Sequence, residues 1–300
     1  MKNIYHLNYE AEIKRPTSGS LKIWLSIPQS NYLQNIDAVT INPQPHFSYS
    51  DSQNNSIVGW QTNDANFKME MNFGYANAFI KKEINAEKCN LPSGASFLPY
   101  LKSEPFLEQT EAIRQLAQKI TDNQRPYHAA EKIFEWVAKN FTYQYPPSKR
   151  GAENLDLQNL CGDCGEYTSL FVALCRAVGI PAKIEIGFFI TPNNELSEHA
   201  WASIYLEPYG WLPIDCQFAT LEETPEKGKK LYFLNTPENR IIFTSGFNIP
   251  LKPILSPDDN LAYWQEQSLP IGLDWVQTLQ PLIFITGKNN PAEFIQKFEI

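Results

Sequence analysis

The sequence predicts an α+β protein, with an antiparallel β-sandwich at its N-terminal end and helices packed on an antiparallel sheet beyond it. Three observations carry this expectation. Apolar and polar residues alternate with period two up to about residue 85, and the period lengthens to that of an α-helix from about residue 109. Past residue 182 the alternation returns, in segments joined by short turns. Strands and helices therefore come in separate runs, which is the pattern of an α+β chain and not of a βαβ one.

In the first run, Tyr5, Leu7, Tyr9, Ala11 and Ile13 alternate with mostly polar neighbours. So do Leu21, Ile23, Leu25 and Ile27, and then Phe67, Met69, Met71, Phe73 and Tyr75. Short antiparallel strands with one wet face imply a small sandwich over residues 1–85. Residues 86–108, with Pro92, Gly94, Pro99 and Pro105, read as a linker. The rest, 109–300, reads as a second domain that carries the C-terminal strands, in keeping with about 150 residues per domain.

The helices follow in order. Ile113, Leu116, Ala117 and Ile120 share one face, closed by Asp122-Asn123-Gln124. Ala130, Ile133, Phe134, Val137 and Phe141 mark a second helix, opened near Pro126. A third runs from about Cys164 to Val178 on the stripe Tyr167, Leu170, Phe171, Leu174, Cys175 and Val178. Gly179-Ile180-Pro181 closes it, glycine taking the left-handed position. Residues 182–190 form a strand, and 199–206 with 211–218 form a hairpin around Glu207-Pro208-Tyr209-Gly210. Further strands are expected at Leu231–Leu234, Ile241–Thr244 and Leu282–Thr286.

The chemistry concentrates between residues 161 and 216. A cysteine at the start of the third helix, Cys164, meets unpaired N–H groups and the positive end of the helix dipole, a field that favours thiolate. Gly162 and Gly165 leave room for a substrate carbonyl, with helix N–H groups as candidate oxyanion donors. His199 opens a hairpin strand, and an even pairing sum near 416 would set Asp215 opposite Trp201 and diagonal to His199. An odd sum would send Asp215 to the other face. Cysteine, histidine and aspartate in this order make a nucleophile, a base and an orienting carboxylate. Cys161-Gly162-Asp163-Cys164 also matches C-x-x-C, so a redox pair or a zinc site completed by His199 and Cys216 stays open. Cys175 belongs to the core, and Cys89 carries no evident role.

The run CGDCGEYTSLFVALCRAVGIPAKIEIGF, followed by HAWASIYLEPYGWLPIDCQFA, closely resembles the transglutaminase-like (papain-like cysteine) domain family, in its bacterial type with an N-terminal β-sandwich. The resemblance covers about residues 100–216. It implies Cys164 as nucleophile, His199 as base and Asp215 as its partner. It also implies thiol-dependent acyl chemistry on peptide or glutamine amide bonds through a thioester. One departure is Cys216 after the aspartate, which could bring a second thiol near the site.

Water as acceptor would make the protein a cysteine peptidase or amidase, the favoured reading. A lysine amine would make it a crosslinking protein-glutamine acyltransferase, and a silent triad would leave a binding module. Trp201 and Trp211 are candidate walls of an acyl tunnel, although aromatic residues on strands commonly serve the core. No calcium-type acidic run is present, and no cofactor or metal is expected. The expected partner is a peptide or protein substrate, with an amine acceptor in the transfer case. Net charge of −8 without a basic block argues against nucleic acid. No stretch approaches the length of a membrane helix, residues 1–16 do not read as a secretory signal, and five scattered cysteines suit a reducing compartment. A cytoplasmic protein off the membrane is the expectation.

Overall fold

The structure is a computed structural model that describes residues 4–254, 270–271, 274–286 and 292–300. In chain order it contains β1 (Ile4–Lys14), β2 (Leu21–Ile27), β3 (Gln34–Asn42), β4 (Phe47–Ser50), β5 (Ser56–Thr62), β6 (Asn66–Asn77), α1 (Glu111–Thr121), α2 (Pro126–Asn140), β7 (Thr142–Tyr143) and β8 (Cys161–Gly162). There follow α3 (Cys164–Ala177), β9 (Ala182–Ile190), β10 (Leu196–Leu206), β11 (Gly210–Ile214), α4 (Cys216–Ala219), α5 (Pro225–Tyr232) and β12 (Arg240–Ser245). The last elements are β13 (Ile249–Pro250), β14 (Pro270–Ile271), β15 (Trp275–Val276), β16 (Leu282–Thr286) and β17 (Glu293–Glu299). The mixture of helix with largely antiparallel sheets is α+β, as the residue pattern predicts.

The chain divides into two compact units. The first comprises Met1–Ile80, Ile186–Glu198 and Glu238–Ile300, and the second Lys81–Glu185 and His199–Pro237. In the first unit, one sheet runs β17-β1-β6-β3 and another β16-β2-β5-β4. The alternating residues do what period two demands: Leu7, Tyr9, Ala11 and Ile13 join Phe67, Met69, Met71, Phe73 and Tyr75 in one core with Leu21, Ile23, Leu25 and Trp60.

Two expectations fail here. Residues 1–85 do not complete the sandwich, because β16 pairs with β2 and β17 with β1. The C-terminal strands thus belong to the first unit, not to a domain spanning 109–300. Each satisfies backbone groups that β1 and β2 would otherwise leave at an open edge. Nor does the second sheet keep a wet face. Trp24 and Ile57, on the side of β2 and β5 away from the main core, pack with Ile249, Leu251, Val276, Leu279, Ile283 and Ile285. A fragment ending at residue 85 is therefore expected to show no cooperative thermal transition by circular dichroism. In the full chain, Ile283→Ala should cost about 2–5 kcal/mol in urea unfolding.

In the second unit, the stretch 86–108 is no linker. Asn90 and Glu207 exchange backbone hydrogen bonds at 3.0 and 3.1 Å, Cys89 is buried, Phe97 meets Tyr205 at a tilt and Tyr100 meets Trp211 edge-on. Pro99 lies within a short 3-10 turn, Ala95–Tyr100, while Glu104 and Leu107 are buried. Helix α1 opens on Thr110, whose hydroxyl accepts the Ile113 N–H, and ends at Asp122 in the left-handed conformation. Helix α3 is buried along nearly its whole length, from Glu166 to Arg176, and so needs apolar residues on all sides.

The remaining larger sheet runs β11-β10-β9-β12. Residues 231–234 are not a strand. Thr224 caps α5 by accepting the Lys227 N–H, Pro225 supplies a preset first-turn φ, and the helix carries through Tyr232.

Candidate active site

Three elements of the second unit build the site. Asp163 precedes α3 in an extended conformation, and its Oδ1 accepts the Gly165 N–H at 2.8 Å. Its carbonyl accepts the Glu166 and Tyr167 N–H groups, each at 3.1 Å. Cys164 is thereby held as the first helical residue. The amides of residues 165–167 are engaged in the cap, so the oxyanion donor to consider at this helix end is the N–H of Cys164 itself. Thr168 donates to the Cys164 carbonyl at 2.7 Å and to the Ala200 carbonyl at 3.2 Å, which pins the first turn of α3 to β10 beside His199.

The hairpin of β10 and β11 pairs Ala202 with Ile214 and Leu206 with Gly210, a register sum of 416. This is the even register, and it brings Asp215 back beside His199. The Nε2 of His199 lies 2.7 Å from Asp215 Oδ2, with both side chains buried. The expected strand to residue 218 stops at Ile214, because Asp215 changes role. Its Oδ1 accepts the Phe218 N–H at 2.9 Å and caps α4, while its own N–H bonds to the Tyr232 carbonyl at 3.0 Å. With one oxygen on the helix and the other on the imidazole, the carboxylate has a single orientation. A carboxylate only accepts, so the proton sits on Nε2 and Nδ1 is the basic nitrogen of the neutral ring.

Phe218 stacks on the imidazole with centroids 4.2 Å apart, and Trp201 lies parallel to it at 6.1 Å. Sequence reasoning missed Phe218. Its signal was its place three residues after a capping aspartate, where α4 turns it back toward the strand.

Cys164 is half-buried, and the adjacent Ala200 backbone is the influence that favours the ionised sulfur. Burial and then the adjacent Asp163 carboxylate push the thiol well above the ordinary cysteine range, with smaller contributions from Asp215 and Glu166. A preformed thiolate from the helix dipole was the sequence expectation. The surroundings oppose it, burial of the sulfur first and then the carboxylate that opens the helix.

A second group of residues lay outside the sequence reading. Arg150 donates through one nitrogen to Asp163 at 2.8 Å and to Glu166 at 3.0 Å. Gly162 is required beside them, since a Cβ there would lie 2.6 Å from that of Glu166. Tyr143, exposed on β7 and paired with Gly162, is near enough to Cys164 and Asp163 to be raised by their charge, after burial.

The two tryptophans do not form a tunnel. Trp201 is wholly buried, where it supports the histidine. Trp211 lies four residues up the strand from Asp215, about 13 Å away at 3.3 Å per residue. There it meets Tyr100, Tyr205 and the Lys183 ammonium. Cys216 and Cys175 are buried, and Cys161 is half-buried on β8. Among the described residues, no group of three or more His, Cys, Asp or Glu side chains could hold a metal ion, so the zinc alternative finds no ligand set there. Also among them, no helix is long and apolar enough to cross a membrane.

A cysteine-initiated helix thus lies against a histidine strand with a returning aspartate. Residues 114–216, which contain all three, match the family model of the transglutaminase-like superfamily. The chain is 22% identical over 306 residues to an uncharacterized protein of Haemophilus influenzae, covering 85% of this chain and 82% of that one. It is 25% identical over 130 residues to a protein-glutamine gamma-glutamyltransferase of Pseudomonas aeruginosa, covering 37% of this chain and 20% of the relative. A candidate cysteine protease from Cytophaga hutchinsonii has a similar fold, with a TM-score of 0.58 at 13% identity over 100% of this chain and 92% of that one. Together these findings support thiol-dependent acyl chemistry in general.

Proposed function

We propose that the protein cleaves peptide or glutamine amide bonds through a Cys164–His199–Asp215 triad and a thioester intermediate. The observation that carries this reading is the buried 2.7 Å contact between His199 and Asp215, with Thr168 tying the turn that carries Cys164 to the Ala200 carbonyl beside that histidine. Because surroundings favour the neutral thiol, the proton leaves as the sulfur attacks. Nδ1 of His199 takes it while the S–C bond forms, and Asp215 steadies the resulting imidazolium. The imidazolium then protonates the departing nitrogen as the C–N bond breaks, leaving the thioester. Water, deprotonated by the same nitrogen, completes hydrolysis. An amine in its place would complete acyl transfer, and the likeness to the Pseudomonas glutamyltransferase favours keeping that second reading. A buried site suited to excluding water is compatible with either acceptor.

The test offers glutamine-containing peptides with and without a fluorescent primary amine. Ammonia release or new peptide termini in the absence of amine support hydrolysis, and incorporation of the amine supports transfer. Either activity should vanish in Cys164→Ala, and activity surviving that change would sink the proposal. We further assign the substrate-facing aromatic wall to the exposed Tyr143 in place of the tryptophans. Tyr143→Ala should raise KM about tenfold with a smaller change in kcat, whereas Trp211→Ala should leave KM within about twofold, as steady-state kinetics would show.

A further inference from the structure

We infer that Arg150, Asp163 and Glu166 form a proton-holding clamp around the first turn of α3, and that one proton shared by the two buried carboxyls sets how readily Cys164 ionises. The inference deepens the proposed function and rests on it for its bearing on turnover, but the thiol chemistry stands apart from any substrate.

The geometry leads there by a charge count. Asp163 and Glu166 flank the nucleophile in sequence, and both are buried. One guanidinium serves the two of them through a single nitrogen, at 2.8 and 3.0 Å. Both carboxyls therefore converge on that one nitrogen inside the protein, so a single positive charge faces two groups that would each be negative if ionised. Burial and the repulsion between two like charges favour a proton on one of them. With the proton the clamp is neutral overall, and without it the clamp carries one negative charge beside the thiol.

The charged and titratable groups around the clamp are few. Cys164 shares its helix turn, and Tyr143 on β7 faces Asp163. Arg150 comes from the segment before α3. Asp215, bonded to His199, is also near enough to act on the thiol. Burial, then Asp163, pushes the Glu166 carboxyl up to about 8, against the opposing pull of Arg150. Deprotonation therefore falls in a range where it matters. A new like charge next to the thiol disfavours thiolate, by about tenfold for one unit of pKa. Raising the pH through this range promotes thiol ionisation less than it would without the second carboxyl.

Alkylation of Cys164 by iodoacetamide, followed by peptide mass spectrometry on the full chain at pH 6.5 and 9.5, tests this. Glu166→Gln keeps the shape and hydrogen bonds of the protonated acid but cannot acquire the charge. It should react about tenfold faster than wild type at pH 9.5 and within about twofold of it at pH 6.5. An equal ratio at the two pH values would overturn the clamp. Infrared difference spectra between the same pH values give an independent reading. Wild type should lose a protonated-carboxyl band that Glu166→Gln does not show, and identical spectra would also overturn it. If the ratio shifts as expected but no acyl substrate is turned over, the clamp stands and the proposed function falls. If Cys164-dependent turnover is found with a flat ratio, the reverse holds.

Discussion

Asparagine in place of Asp215 is expected to lower kcat/KM by about four orders of magnitude while leaving the fold nearly as stable as before. The carboxylate has two tasks, and asparagine can do only one. Its carbonyl oxygen can still accept the Phe218 N–H and cap α4, and asparagine and aspartate are nearly equal as caps. Its amide nitrogen would then face His199 Nε2, where a donor now meets a nitrogen that had been donating. The ring answers by moving its proton to Nδ1, and the nitrogen meant to receive the thiol proton is blocked. Alanine at the same position should lose the cap as well, at about 0.5–2 kcal/mol. Kinetics on a peptide substrate with thermal unfolding of both variants separates the two tasks. Retention of more than about a tenth of wild-type activity by the asparagine variant would count against the orienting role.

Glu104→Ala is expected to cost about 3–5 kcal/mol of unfolding free energy, a large part of the 5–15 kcal/mol of an ordinary domain. Arg176 stands in the last turn of α3 with its side chain fully buried, and its guanidinium donates to Glu104 at 2.7 Å. Other bonds run to the carbonyls of Ala182 and Lys102. Burial lowers the guanidinium's affinity for its proton, and Glu104 is the leading influence opposing this. Removing the carboxylate leaves a charge in a dry interior with only neutral carbonyls around it. Replacement by glutamine, which keeps an acceptor, should cost less than alanine. Urea unfolding followed by circular dichroism measures both. A loss below about 1 kcal/mol in the alanine variant would mean that water reaches the arginine. The consequence for the site is indirect but real, since Glu104 helps hold the C-terminal end of the helix whose N-terminal end carries Cys164.

The reach of sequence reasoning follows the range of the interaction involved. Helix α3 was legible because its punctuation is local, with glycines and an aspartate at one end and Gly179-Ile180-Pro181 at the other. Strand β9 was legible from its alternation, and the register of the hairpin was reduced to two choices by the length of its turn. Sequence could not choose between them, since side chains of either set are apolar enough to be buried on a strand covered on both faces. The strand assigned to residues 231–234 failed for a related reason. Four apolar-rich residues fit either period, and the cap that decides the matter stands at Thr224, seven residues earlier. Arg150 escaped notice because an arginine in a polar loop carries no local mark of the two carboxylates it will meet.

What the residues determined unaided was the fold class, the run of the main helices and strands, and Cys164, His199 and Asp215 as candidates, all of which depend on periodicity, capping and short motifs. Tertiary structure alone decided which strands complete the first unit, that residues 86–108 are packed and not a spacer, and which of two carboxylate oxygens meets the imidazole. It also decided the burial of the thiol and the charges around it, which favour the neutral sulfur over the expected thiolate. The physical reason is common to all of these. Hydrogen-bond partners, burial and Coulomb interactions depend on distances between residues far apart in the chain, and a linear pattern does not contain those distances.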